Sequence, residues 1–396
     1  MQLTCIVGNG LDIGLGMKTR FTDFIDLHYL KLERDPNSVL GRFQALLRAD
    51  KERAERERVW RDWADAEREF GQLDVPVLDP QRPFEDFEMC LTDFKKEFNV
   101  FLKKQNDAIR IPPERELELY TKFCLSVLNL GALLRRKYSR RFYEVLPANQ
   151  SVGINIITFN YTDVLDRLLK SRSKFSENNM LVGDLANGQK RNFRIRRIHH
   201  VHGALSSDMV FGVDDLDQIK NEKVRQGCAA HKYLVKKTVD EVLGNENEQV
   251  AAQLIAESGC LVTLGLSFGV TDKSWWDILF KRVFADKTLL VPCVYQEKEG
   301  VPPLPEQTKL YEDAYRQMFK TIDPKFRDGQ IQANMTQCMN LVLPAHSLDP
   351  DGKDVWCDPL NLKWLGEKIG IPAAMERMWG NNGRGIVPKN SSFGEG

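Results

Sequence analysis

The sequence lacks the features that mark several common classes of protein. Its 56 basic residues equal its 56 acidic residues, so no net charge favours nucleic acid or an anionic membrane. No stretch approaches the roughly 18 apolar residues of a membrane span, and no basic segment followed by a long apolar one marks a secretory signal. The eight cysteines are scattered and form no CxxC pair. We therefore expect a cytoplasmic protein with reduced core cysteines, no membrane contact and no nucleic-acid partner.

Short apolar runs alternate with helical patterns over much of the chain. Residues 3–7, 152–159, 194–201, 259–266 and 288–295 have the length and composition of strands buried in a sheet. Strands that alternate with helices favour a parallel, doubly wound sheet. We predict an α/β protein with a Rossmann-like parallel sheet and a large helical insertion. The predicted regions are residues 1–30 (first strand and glycine-rich turn), 31–150 (helical insertion or lobe), 151–330 (remainder of the α/β core) and 331–396 (C-terminal extension with a flexible tail).

The predicted insertion contains a stripe of mostly aromatic residues. Six apolar positions recur at steps of three and four, which places them on one helix face. They are Phe84, Phe87, Leu91, Phe94, Phe98 and Phe101. A core face is favoured over the alternative, a surface through which the helical lobe binds a partner or forms a homo-oligomer. A further helical stretch is predicted from about residue 114 to 145.

The segment of residues 3–24 joins the first apolar run to a glycine-rich turn and then to a helix. Gly8 and Gly10 can adopt positive φ, Asn9 tolerates the left-handed region, and the N–H groups of a following helix attract anions. The spacing is GxGxxxG rather than the dinucleotide fingerprint GxGxxG, and Asp12 adds negative charge where a pyrophosphate favours positive charge. The turn therefore indicates a phosphate site without deciding the ligand.

Ligands of open parallel sheets bind at the carboxyl ends of the strands. Four such ends carry glycine or small polar residues: the first turn, TFNYTD, HHVHG and GLSFGVTD. The candidates there are Gly8, Asn9, Gly10, Asp12, Thr158, Asn160, Asp163, His202, Gly203, Gly265, Ser267 and Asp272. Each has a structural alternative: an asparagine can end a turn, a histidine can be a hydrogen-bonded core residue, and an aspartate can begin a helix. Their joint occurrence favours one crevice.

Three histidines within four residues also suggest a metal site. Strand alternation would place His199 opposite His200 and His202, and no acidic or cysteine ligand follows at suitable spacing. We therefore predict no metal.

These motifs together resemble those of a known family. NGLDIGLGMKTRFTDF, WADAE at 63–67, ITFNYTDVLD, VHGAL with FGVDD, and GLSFGVTDKSWW occur in the order and approximate spacing of the abortive-infection AbiH family of phage-defence proteins. The resemblance covers residues 3 to about 285. It implies a defence role, with a phage-derived trigger among the expected partners.

The AbiH family in turn is similar to the sirtuin-type nucleotide-binding fold, which implies binding of NAD or a related nucleotide. By that resemblance the first turn contacts phosphates, Asn160 positions water and the nicotinamide ribose, and His202 before Gly203 is the catalytic base. Gly265 and Ser267 would contact the phosphates and ribose.

The sequence departs from the sirtuin pattern at several positions. The acidic residue after the asparagine is Asp163, one position late, because Thr162 takes its place. The pair Asp23 and Phe24, assigned to the nucleotide site, is followed by Ile25 instead of arginine. The zinc-binding cysteine pairs of sirtuins are absent, so protein deacylation is not expected.

The leading hypothesis is an NAD glycohydrolase or related nucleotide hydrolase that is inactive until infection. Asn160 would orient water or the carboxamide, His202 would accept a proton, and Asp163 or Asp12 would hold a ribose hydroxyl or stabilise positive charge. One alternative is a module that binds a nucleotide or partner without turnover. The other is a metal-dependent nuclease built from Asp12, Asp163, Asp272 and Asp214 or Asp215.

Overall fold

The computed structural model describes most of the first 293 residues. The described residues are 1–57, 67, 81–134, 136–146, 150–207, 209–220, 222–226, 233–266, 268–286 and 288–293, with 347–348, 354–355, 369 and 378. Ser267 and almost all of the predicted C-terminal extension lie outside them.

A mostly parallel six-stranded sheet organises the fold. The strands are β1 (Gln2–Val7), β2 (Val152–Thr158), β3 (Leu181–Asp184), β4 (Lys190–His200), β5 (Cys260–Leu264) and β6 (Leu289–Cys293). Their order is β3-β4-β2-β1-β5-β6, and only β3 is antiparallel to its neighbour. The sequence therefore predicted a mixed α/β protein with a mainly parallel sheet correctly.

Helices connect the strands and form the layers around the sheet. The described α-helices are α1 (Gly10–Gly14), α2 (Phe21–Leu27), α3 (Val39–Glu57), α4 (Pro83–Ala108), α5 (Glu116–Leu128), α6 (Leu130–Leu133), α7 (Arg136–Val145), α8 (Val164–Leu168), α9 (Glu222–Gln226), α10 (Lys236–Leu243), α11 (Asn247–Ala256) and α12 (Lys273–Asp286). None of the described helices is long and apolar enough to cross a membrane.

Both faces of the sheet are covered, which is why its central strands are almost continuously apolar. Cys5 and Val7 of β1 pack on one face with α5 and α7, whereas Ile6 packs on the other with α11 and α12. Every residue of β2, β5 and β6 is buried. The resulting rigid sheet fixes the positions of the turns at its carboxyl ends.

A separate apolar core holds α2, α3 and α4 against Phe211, Val213, Ile219, Val224, Leu234 and Val235. The predicted stripe lies in this core: Phe94, Phe98 and Phe101 are each at most 2% exposed, and Phe24 packs against all three. The core interpretation of the stripe is therefore confirmed for these residues, which are not available to a partner.

Two local features differ from the sequence expectation. The helical stretch predicted over 114–145 is divided into α5, α6 and α7, and the first and last of these pack on the sheet. The hairpin of β3 and β4 was not predicted, although Asn187 and Gly188, with φ of +79° at the glycine, form a typical hairpin turn.

Candidate functional site

The glycine turn after β1 is bonded to the end of β5. The N–H of Gly8 donates to the Leu264 carbonyl at 2.9 Å, and the N–H of Gly10 donates to the Gly265 carbonyl at 2.9 Å. A Cβ on Gly10 would lie 2.5 Å from the Gly265 Cα, so glycine is required for close approach of two backbones. These two amides therefore serve packing between strands instead of pointing at an anion.

The left-handed backbone expected in this turn occurs elsewhere. Asn9 is right-handed helical with φ of −59°, and neither Gly8 nor Gly10 has positive φ, whereas Gly265 has φ of +62°. The Asn9 side chain is used locally, since it both donates to the Thr19 carbonyl and accepts from the Thr19 hydroxyl. Asn9 therefore does not use the left-handed conformation that an asparagine tolerates, because a five-residue helix, α1, begins directly after it.

A second group of side chains, the Asp12 cluster, consists of Asp12, Asn160 and Thr162. The Thr162 hydroxyl donates to Oδ2 of Asp12 at 2.6 Å, and Asn160 lies beside the same carboxyl. All three side chains are at most 4% exposed. Oδ1 of Asp12 and both polar atoms of the Asn160 amide have no well-formed hydrogen bond to any described residue. Buried polar atoms of this kind cost free energy unless something satisfies them.

Burial also changes the acidity of the Asp12 cluster. Loss of solvent raises the pKa of Asp12 to about 6, although Thr162 and Asn160 partly counteract the shift. The carboxyl therefore changes its charge near neutral pH. An aspartate in this position can accept or donate a hydrogen bond to a ligand hydroxyl, depending on pH.

A third group, the Lys236 cluster, consists of Glu67, Lys236, Asp272 and His202. Oδ1 of Asp272 accepts from Nε2 of His202 at 2.8 Å and from Nζ of Lys236 at 2.7 Å. Nζ of Lys236 also contacts Oε2 of Glu67 at 2.6 Å and donates to the Thr271 carbonyl at 3.0 Å. The His202 and Lys236 side chains are each 6% exposed. The cluster is thus an ionic network largely shielded from water, with Asp272 as its most exposed member at 18%.

The charges of the Lys236 cluster support one another. Burial by itself would raise the pKa of Asp272, but Lys236 and then His202 hold that pKa well below its usual range. Burial would likewise lower the pKa of Lys236, and Asp272 and Glu67 raise it instead. Asp272 is therefore ionised and Lys236 protonated at neutral pH.

The segment Phe159–Thr162 lies between the two clusters. The Phe159 ring meets the His202 ring edge-on at 5.2 Å, and the Tyr161 ring lies 6.3 Å from it. Asn160, which lies between Phe159 and Tyr161, belongs to the Asp12 cluster, and so does Thr162, which follows Tyr161. The Tyr161 hydroxyl also donates to Glu67 at 3.2 Å. Alternate side chains of one short segment therefore touch both clusters.

The histidines before His202 take other partners. His200 contacts the carboxylate of Asp166 at 2.7 Å, and His199 contacts the Asn247 carbonyl. Strand β4 ends at His200, so the alternation that was expected to align His202 with His200 does not extend to His202. The described residues contain no group of three or more potential metal ligands.

Several residues that the sequence assigned to the nucleotide site lie outside the two clusters or accept hydrogen bonds from backbone N–H groups. Asp163 pairs with Nε of Arg167 at 2.8 Å, Asp23 accepts from the Arg20 N–H in the first turn of α2, and Phe24 is a core residue. Burial raises the pKa of Asp23. The Thr158 hydroxyl accepts from the Asn160 N–H at 3.1 Å.

The carboxylates of the nuclease hypothesis are engaged separately. Asp214 accepts two hydrogen bonds from Ser274 at the start of α12, and Asp215 accepts from the Asp217 N–H. Asp163 pairs with Arg167 and Asp272 with Lys236. Asp12 accepts from Thr162. These partners do not favour a shared metal among the described acidic residues.

The sequence predicted His202 and Asp272 but not the two residues that complete their network. Glu67 stood inside the WADAE motif without a role, and Lys236 follows the apolar pair Leu234 and Val235. A lysine directly after a buried apolar pair is the signal that could have identified Lys236 as a buried ion.

A family model matches most of the chain. The model of the family described as "Bacteriophage abortive infection AbiH" matches residues 4–292. No curated protein matches the chain.

Proposed function

The chain belongs to the AbiH family, which points to a role in abortive infection against phage, and we propose that it acts there as a hydrolase of NAD or a related nucleotide. The observation that carries the proposal is the Asp12 cluster. Oδ1 of Asp12 and the Asn160 amide are buried beside each other without well-formed hydrogen bonds, and a ribose hydroxyl and a carboxamide could supply those bonds.

The strand order supports a Rossmann-like arrangement. From β1 the sheet grows through β2 and β4 in one direction and through β5 and β6 in the other. In sheets of this order, ligands bind beyond the carboxyl ends near the point of reversal. Asp12, Asn160, His202 and Asp272 all follow the carboxyl ends of strands, in agreement with a ligand at this edge.

In the proposed reaction, water adds to the anomeric carbon of the nicotinamide ribose as the bond to the nicotinamide nitrogen breaks. The products are ADP-ribose, nicotinamide and a proton. Because the leaving group is already cationic, the step depends on orientation and on a base more than on acid catalysis. Asn160 would orient water or the carboxamide, Asp12 would hold a ribose hydroxyl, and His202 would accept the proton. Asp163 is a weaker candidate because Arg167 engages it.

The test is to follow NAD in the presence of the purified protein, with and without lysate from phage-infected cells. We expect turnover that Asn160→Ala and His202→Ala abolish. The matched controls are Asn155→Ala, a buried asparagine earlier in β2 that donates to Gln2, and His199→Ala. Intact NAD in every condition, or equal turnover by the two site variants, would reject the hydrolase. Saturable NAD binding without turnover would support a sensing module in its place.

A further inference from the structure

The ammonium group of Lys236 has every hydrogen used. A lysine ammonium has three N–H donors, and Nζ of Lys236 has three acceptors: Oε2 of Glu67 at 2.6 Å, Oδ1 of Asp272 at 2.7 Å and the Thr271 carbonyl at 3.0 Å. It therefore has no donor left for a substrate. Its function lies in what it does to its partners.

The partner that matters for chemistry is Asp272. One oxygen of this carboxylate, Oδ1, accepts from both Lys236 and Nε2 of His202. A carboxylate taken out of water loses its charge readily unless a cation lies beside it. Lys236 is that cation, and Asp214 and Glu67 add negative charge nearby.

A carboxylate that accepts from one ring nitrogen fixes the tautomer of a histidine. Nε2 of His202 then carries the hydrogen, and Nδ1 is the nitrogen that can accept a proton. The described residues provide no hydrogen bond to Nδ1 of His202.

We propose that Lys236 is the positioning residue of the His202–Asp272 pair: it holds Asp272 as an oriented carboxylate, so that neutral His202 carries its hydrogen on Nε2 and presents Nδ1 as the base. The catalytic use of Nδ1 rests on the function proposed above, whereas the tautomer does not. Glu67 acts one step further away, because it takes the second hydrogen of the ammonium and accepts from Tyr161.

The tautomer can be measured directly by nitrogen NMR of protein labelled at its six histidines. The His202 signal is assigned by its loss in His202→Gln. In the spectrum of the neutral imidazole, we expect the Nε2–H tautomer to predominate in the wild-type protein. A predominant Nδ1–H tautomer in the wild type would overturn the proposal without any further variant.

Two variants test the role of Lys236. Lys236→Met removes the ammonium, and Glu67→Gln combined with Lys236→Met also removes the charge of the carboxylate that contacts this ammonium. The combined variant keeps the net charge of the cluster and protects the test against unfolding of the single variant. We expect the ratio of Nε2–H to Nδ1–H tautomer to fall by about tenfold, because Oδ1 of Asp272 is then no longer held in place by the ammonium.

The matched control is Lys95→Met. Nζ of Lys95 donates to the Tyr233 carbonyl at 2.7 Å and lies near Glu67, but Lys95 makes no contact with Asp272. It should leave the His202 tautomer unchanged. An unchanged tautomer ratio in a folded Lys236 variant, or an equal change in Lys95→Met, would overturn the proposal.

Kinetics separate this proposal from the proposed function. If the wild-type protein hydrolyses NAD, the Lys236 variants should lower kcat at least tenfold with little change in KM, because the base and not the binding groups is affected. If the wild-type protein does not hydrolyse NAD, the function fails while the tautomer measurement still decides the role of Lys236.

Discussion

The Asp12 cluster and the Lys236 cluster both lie beside the segment Phe159–Thr162. They differ in how far neighbouring groups compensate their buried charges. In the Lys236 cluster one ammonium meets two carboxylates and a carbonyl, and the histidine completes the network. In the Asp12 cluster the carboxylate accepts from a hydroxyl beside a neighbouring amide, with His200 and Arg167 acting on it more weakly, and several polar atoms lack a well-formed hydrogen bond to any described residue.

This difference suits the Lys236 cluster to holding catalytic side chains in place and the Asp12 cluster to binding a ligand. A satisfied network holds its side chains in one geometry, as a catalytic pair requires. A network with unsatisfied polar atoms leaves those atoms available to a ligand, and it lowers the stability of the protein while no ligand is bound. Changes in the Lys236 cluster should therefore lower stability, and changes in the Asp12 cluster should preserve or raise it.

The largest expected effect comes from Lys236→Met. Lys236→Met takes from the buried carboxylates of Glu67 and Asp272 the ammonium that they share, so we expect the free energy of unfolding to fall by about 3–5 kcal/mol. The control is Lys190→Met, which breaks an exposed pair with Asp184 and should cost below about 1 kcal/mol. Denaturant titrations measure both. Equal losses of the free energy of unfolding in the two variants would show that the buried network is no more important for stability than a surface pair.

Asp12→Asn should act in the opposite direction. The pKa of Asp12 is about 6 in the folded protein and 3.8 in the reference state, so the folded state binds more protons between these values. Ionisation of Asp12 therefore costs stability as pH rises through that window.

From this shift, Asp12→Asn should raise the free energy of unfolding by about 3 kcal/mol at pH 8, and the gain should fall below about 1 kcal/mol at pH 4. The measurement is denaturant unfolding of both proteins at the two pH values. A variant that is less stable than the wild type at pH 8 would show that the Asp12 carboxylate has a stabilising partner.

The sequence predicted one cluster better than the other for a physical reason. The strands were recognisable because both faces of β1, β2 and β5 are buried, and their ends located Asp12, Asn160, His202 and Asp272. Glu67 and Lys236 lie far from Asp272 in the sequence and on other elements, so no spacing connects them. The use of the Gly8 and Gly10 amides was equally hidden, because it depends on how closely β5 ends beside β1.

A smaller effect tests the contact between the turns that precede Asp12 and Asp272. Gly265 and Gly188 both have positive φ, but a Cβ would lie 2.7 Å from the Gly10 backbone at Gly265 and would meet nothing within 4 Å at Gly188. Gly265→Ala should therefore lower the free energy of unfolding by about 1–3 kcal/mol more than Gly188→Ala. Thermal unfolding of the two variants gives this difference. Equal losses would mean that backbone conformation alone requires glycine at Gly265.

The smallest effect on stability is expected for Asn160→Ala, and it is the most informative about the Asp12 cluster. The buried Asn160 amide lacks well-formed hydrogen bonds, so its removal should change the free energy of unfolding by less than about 1 kcal/mol. Asn155→Ala removes a hydrogen bond to Gln2 and should cost about 1–3 kcal/mol. With NAD added, the midpoint of thermal unfolding should rise for Asn155→Ala and not for Asn160→Ala, because a ligand stabilises only the protein that binds it. A large loss of stability in Asn160→Ala without NAD would instead make this asparagine a structural residue, and the contrast between the two clusters would disappear.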